Sequence, residues 1–89
     1  MTEDKSMTTP TIHMNGSGRD ALLNQALDAA HAVQDAMGKM CDAAPNGRDY
    51  YTQGPNAINA AMLEHQSRFD RLKAVYYELI QLAEAIQNA

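Results

Sequence analysis

Between Ile58 and Ile86 one side of the chain advances in alternating steps of four and three: Ile58, Met62, His65, Phe69, Leu72, Tyr76, Leu79, Ala83, Ile86. Nearly every member is apolar. A strand cannot use this spacing, because its side chains alternate with a period of two, whereas a helix keeps all nine on one face. A stripe of about eight turns must be covered along its length, so the chain is constrained to a long helix packed lengthwise against other helices.

A matching stripe lies upstream: Leu23, Ala26, Ala30, Val33, Met37, Met40 and Ala44, widened by Leu22, Leu27, Ala29, Ala36 and Cys41. Its alanines allow close approach of helix axes. Gly38 costs about 1 kcal/mol relative to alanine inside a helix and is expected to mark a tight crossing. Asp28, Asp35 and Asp42 recur every seven residues on the other side, as a solvated edge or an acidic docking stripe. Ser17 is the expected cap, with Asp20 three residues on.

Pro45 ends this helix, because the residue before a proline is driven out of the α region. Asn46-Gly47 supplies a turn, and Pro55 suits the first position of the second helix. The expected layout is an arm over 1–16, a first helix at about 18–44, a loop over 45–54 and a second helix at about 55–87. The second helix is longer by about 9 Å at 1.5 Å per residue. Its last turns, where Val75, Ile80 and Leu82 flank the stripe, should therefore overhang the hairpin or meet the arm or another subunit. Asp35–Lys39 and Glu64–Arg68 are spaced as i,i+4 ion pairs.

Residues 11–16, Thr-Ile-His-Met-Asn-Gly, alternate in polarity and place Ile12 and Met14 on one side of an extended segment. It is either a frayed tail or an arm that clasps a second subunit or a partner.

Eighty-nine residues form one domain at most, and two helices hide only one stripe each. Cys41 is the single cysteine, so no intrachain disulfide can staple the fold. Self-association, most simply as a dimer, is the expected source of further stability. The fold class is therefore all-α: an antiparallel two-helix hairpin assembling into a homo-oligomeric bundle, with a short extended N-terminal arm.

A net charge of −4 without clustered Lys or Arg argues against direct nucleic-acid binding. No apolar run approaches the ~20 residues of a membrane span. MTEDKSMTTP lacks a signal-peptide layout, so a cytoplasmic protein is expected.

Catalytic motifs are missing. His65 sits on the stripe as a core or register-setting polar residue. His13 and His31 share no metal-ligand spacing with it or with Cys41, so neither a metal nor a cofactor is expected. No basic residue adjoins Cys41 to activate it. Gly16-Ser17-Gly18 is too short to be a phosphate loop.

Polar and aromatic character concentrates in the loop: Asn46, Arg48, Asp49, Tyr50, Tyr51 and Gln53. Tyrosine and arginine commonly anchor protein interfaces, and the same pair can stack a base and hold a phosphate. Alternatively the two tyrosines plug the end of the hairpin, with Arg48 paired to Asp49. Of the second tyrosine pair, Tyr76 belongs to the stripe and Tyr77 to an outer, interface position.

TIHMNG at the front, an Ala-rich helix, PNGRDYYTQGP, and EHQSRFDRLKAVYYEL together resemble small uncharacterised all-helical proteins of bacteriophages and prophages of proteobacteria, over most of residues 7–87. The resemblance implies a non-enzymatic accessory protein that binds and inhibits a host or bacterial-defence protein in the infected cell. It transfers no site residues. Two other readings remain: an oligomeric sponge for a nucleotide immune signal, and a structural coiled-coil component of the virion or replication machinery.

Overall fold

The computed structural model describes residues 7–89, and its two long helices follow the two stripes. Helix α1 spans Arg19–Asp42 and helix α2 spans Ala57–Gln87. They pack against each other side by side. Among the described residues there is no strand.

This is a single layer of helices. The molecule measures 62 × 31 × 16 Å, and a helix with its side chains is about 10–12 Å across. The radius of gyration is 18.6 Å, against about 12 Å for a compact domain of this length. The accessible surface is 6520 Å², where a compact 9.8 kDa monomer would expose about 5,200 Å². Both the one-layer arrangement and the N-terminal segment contribute to that excess.

The seam runs along Ala26, Ala30, Val33, Met37 and Met40 of α1 and His65, Leu72, Leu79, Ala83 and Ile86 of α2, all buried or half-buried. Only Ala26, Ala30, Ala61, Ala83 and Ile86 are buried outright among the described residues. The strongest packing lies where α1 begins and α2 ends. Ala26, Ala83 and Ile86 form a cluster there, backed by Leu22, Leu23, Leu27 and Leu82. The Arg19 guanidinium donates to the carbonyl oxygen of Ala89 at the same end.

That end is flush, contrary to the expected overhang. Its cluster and the Arg19 hydrogen bond bring the start of α1 level with the end of α2. The surplus turns of α2 lie instead at the loop end, where the second turn of the loop packs on them. Ala61 is buried there, and Met62, expected on the seam, remains 46% exposed. Ala61 lies one turn before His65 and continues its inward line, because 3.6 residues per turn carries that line away from a strict heptad step.

Helix boundaries differ from the expected ones for local reasons. The N-cap of α1 is Gly18, and no side chain caps it, so Ser17 does not serve. The helix stops at Asp42 because Pro45 displaces Ala44; the Ala43 N–H closes the last turn on Lys39 and Met40. Helix α2 starts at Ala57, not Pro55. Gly54 has φ 111°, a backbone that carries Pro55 and Asn56 through a turn before helical geometry begins, with Asn56 at the N-cap.

The N-terminal segment contains one turn, in which the Gly16 N–H reaches the His13 carbonyl at 3.2 Å. Ile12 is half-buried and Met14 is 96% exposed, so the two do not share an environment. The part of the expected arm over residues 1–6 lies outside the described residues.

Candidate functional site

The loop between the helices is shaped by short-range backbone hydrogen bonds, and its second turn rests on α2. Asn46 starts it: its Oδ1 accepts from the Arg48 backbone N–H at 3.0 Å, an Asx-type turn that short polar side chains favour. A 3₁₀ turn over Gly47–Asp49 and a second over Tyr51–Gln53 follow. Their bonds run from Asp49 N–H to Asn46 O (2.9 Å), Tyr50 N–H to Gly47 O (3.0 Å) and Gln53 N–H to Tyr50 O (3.0 Å).

Consecutive turns send the two tyrosines to different fates. Tyr50 is half-buried, whereas Tyr51 is 75% exposed. Arg48, Asp49 and Gln53 are exposed. Arg48 and Asp49 do not pair: among the described residues the single ion pair is Arg68 with Glu64, at 3.9 Å between exposed groups. The expected Asp35–Lys39 pair does not form either. An ordered turn thus displays a guanidinium, a carboxylate and a phenol ring side by side without partners among the described residues.

Beside the loop, Cys41, Ala44, Met62, His65, Gln66 and Phe69 line an open groove of about 310 Å³. This places His65 and Cys41 on one cavity, a proximity that their separation in sequence hides. Two side chains fall short of a metal-ligand set, and no group of three such residues gathers among the described residues. A second groove of about 300 Å³ opens on the opposite side of the seam, lined by Met40, Arg68, Arg71, Leu72 and Val75. Arg71 turns its Nε–H back to the Ser67 carbonyl at 3.2 Å.

The remaining candidates are scattered. Tyr77 is 57% exposed and meets Tyr76 edge-on, with ring centroids 5.3 Å apart. It lies several turns from the loop. Ile12 and Met14 lie in the N-terminal segment, whose Pro10 lines a third groove with Leu22, Leu79 and Ile86. The structure therefore brings together the loop candidates Arg48, Asp49, Tyr50, Tyr51 and Gln53, but not Ile12, Met14 or Tyr77. Leu63 was missed by the sequence reading. It is 74% exposed near the start of α2, and a leucine outside the stripe was the available signal. The Arg68–Arg71 wall of the second groove was also missed, because i,i+3 arginines read as ordinary surface charge.

Comparison with protein-family models, with curated proteins and with solved structures found no match. No helix is long and apolar enough to cross a membrane among the described residues.

Proposed function

We propose that this chain is a non-enzymatic binding protein: a phage accessory factor that self-associates and uses its loop to engage and inhibit a host or bacterial-defence protein. It would act in the cytoplasm of the infected bacterium, without a cofactor and without contacting nucleic acid. The observation that carries the proposal is Tyr51, three-quarters exposed in a loop of two backbone-bonded turns that also exposes Arg48. Backbone turns that are already formed do not have to be ordered on docking, which lowers the cost of using this loop as an anchor. The long single-layer hairpin places that anchor at the tip of a 62 Å body, where a partner's cleft can receive it.

The test is affinity capture from host lysate with the full chain beside Tyr51→Ala and Arg48→Ala. A stoichiometric protein retained by the unsubstituted chain and lost with Tyr51→Ala supports the reading. Equal retention by all three chains overturns the role of the loop. Thermal shifts with a panel of cyclic and linear nucleotides, abolished by Tyr51→Ala, would replace protein inhibition with the nucleotide-sponge alternative.

A further inference from the structure

The two faces of the hairpin differ in chemistry, and the difference selects where a second copy sits. On one face, α2 presents the heptad row Met62, Phe69, Tyr76 and α1 presents Leu27, Gln34, Cys41. Neither row contains a charge, and Lys73, one heptad beyond the groove-lining Gln66, is exposed at the margin of this face. On the other face the corresponding row of α2 is Arg68, Val75, Leu82, with Glu64 paired to Arg68 and with Arg71 beside it. Pro10 of the N-terminal segment already lies across the flush end of that charged face. Beyond α1, α2 and Ala44, no described segment of the chain lines the groove on the first face.

We infer that a second copy of this chain covers the face of Met62, Phe69 and Tyr76, pairing two hairpins into a four-helix bundle. The inference deepens the self-association part of the function proposed above and is independent of the loop's partner. Three observations point to a copy of the chain rather than to another molecule. First, the hairpin alone buries only four alanines and Ile86 among the described residues, so a further core is needed whenever the chain is folded, before any foreign partner is met.

Second, the dimensions fit. The shared length of the helices is about 36 Å for the 24 residues of α1, and two helices side by side span about 20 Å. The resulting face of roughly 700 Å² is close to the about 800 Å² per partner of a standard stable interface. Third, the charge is arranged for it. A chain of net charge −4 repels its copy unless the acids stay off the contact. Asp28, Asp35 and Asp42 are exposed on the outer edge of α1, outside both rows. Interface cores are depleted in charge and enriched in aromatic residues and Met, as this face is. A two-fold axis makes such a patch its own complement.

Met62 and Val75 make the test, because they are about equally exposed, at 46% and 43%, on opposite faces of the same helix. Neither Met62→Glu nor Val75→Glu buries a charge in a lone hairpin. Sedimentation equilibrium of the full chain should give twice the 9.8 kDa monomer mass. Met62→Glu should raise the dissociation constant about a hundredfold, since it strands a charge in the contact. Val75→Glu should leave it within about threefold. The exposed Cys41 thiol, which lines the same groove, supplies a second reading in the unsubstituted chain. Its alkylation rate should fall at least tenfold as concentration rises through the dissociation constant.

A monomeric mass at all concentrations overturns the inference. So does dissociation by Val75→Glu, alone or together with Met62→Glu. Should Met62→Glu lose its helical circular dichroism, Cys41 protection decides: a rate independent of concentration overturns the proposal, and protection supports it. A monomer that still captures a partner through Tyr51 would refute this face and leave the proposed inhibitor role standing.

Discussion

The two ends of the hairpin are made from the same heptad pattern and reach opposite results. Where α1 begins and α2 ends, alanines face alanines and Ile86 inserts among leucines, giving the tightest packing in the chain. Toward the loop, the larger Met62, His65 and Phe69 line an open groove instead. Hydrophobic size is therefore not what closes this hairpin. Small residues at Ala26, Ala30 and Ala83 let the backbones approach, and one branched side chain fills what they leave. Large residues along the flank extend beyond what a single neighbouring helix can cover.

The comparison breaks most severely at Ile86, which is 2% exposed. Ile86→Ala removes the largest buried side chain at the flush end and should cost about 3 kcal/mol. Phe69→Ala at the loop end removes a larger but only half-buried ring and should cost about 1 kcal/mol in the monomeric hairpin. Urea denaturation of both variants, at a concentration where the chain is monomeric, checks the ratio. Equal losses would mean that the two ends are not packed differently.

Overpacking probes the same idea from the other side. Ala30 is fully buried in the seam, and Ala30→Leu should cost about 2 kcal/mol by forcing the helices apart. Its neighbour Ala29 is exposed, so Ala29→Leu should change stability by less than about 0.5 kcal/mol. If Ala30→Leu proves as mild as Ala29→Leu, close approach of the axes is not what the alanines provide.

Most of the architecture was readable from periodicity, since a three-four repeat fixes a helix and two such repeats around Pro45 and Gly47 fix a hairpin. What periodicity could not fix was rotation and offset. Ala61 and Met62 lie one step apart on α2, and either could face inward by a heptad pattern alone; at 3.6 residues per turn the inward line drifts off the heptad and takes Ala61. The offset goes with the packing of Ala26 against Ala83 and Ile86, residues far apart in sequence, which no local signal encodes. At the candidate site the residue types single out the loop but not which of its side chains is presented. The opposite exposures of Tyr50 and Tyr51 follow from two successive 3₁₀ turns, whose register depends on the Asn46 side chain.

Gly54 separates the loop from α2 by a conformation that other residues resist. At φ 111° and ψ 166° it occupies a region that is essentially reserved for glycine, and another residue there is strained by about 1–3 kcal/mol. Gly54→Ala should therefore destabilise the hairpin by about 1.5 kcal/mol although no neighbouring atom obstructs the added methyl. The same substitution should loosen the loop and lower the affinity for any partner captured through Tyr51. Unchanged stability would show that the entry to α2 tolerates a different turn.

Gly38 gives the smallest expected effect and the opposite sign. The cost of a glycine inside a helix suggested a tight crossing, yet a methyl group built there meets nothing within 4 Å, and the residue is exposed in the interior of α1. Glycine at such a position forfeits helix propensity, so Gly38→Ala should stabilise the monomeric hairpin by about 1 kcal/mol. In a domain of this size that corresponds to a rise in Tm of roughly 4–8 °C. Thermal unfolding at low and high concentration separates two origins for the glycine. A gain at both concentrations means that no contact uses the missing methyl. A gain at low concentration that turns into a loss at high concentration means that the close crossing exists after all, with α1 of a second copy lying against Gly38 where α2 of the same chain does not.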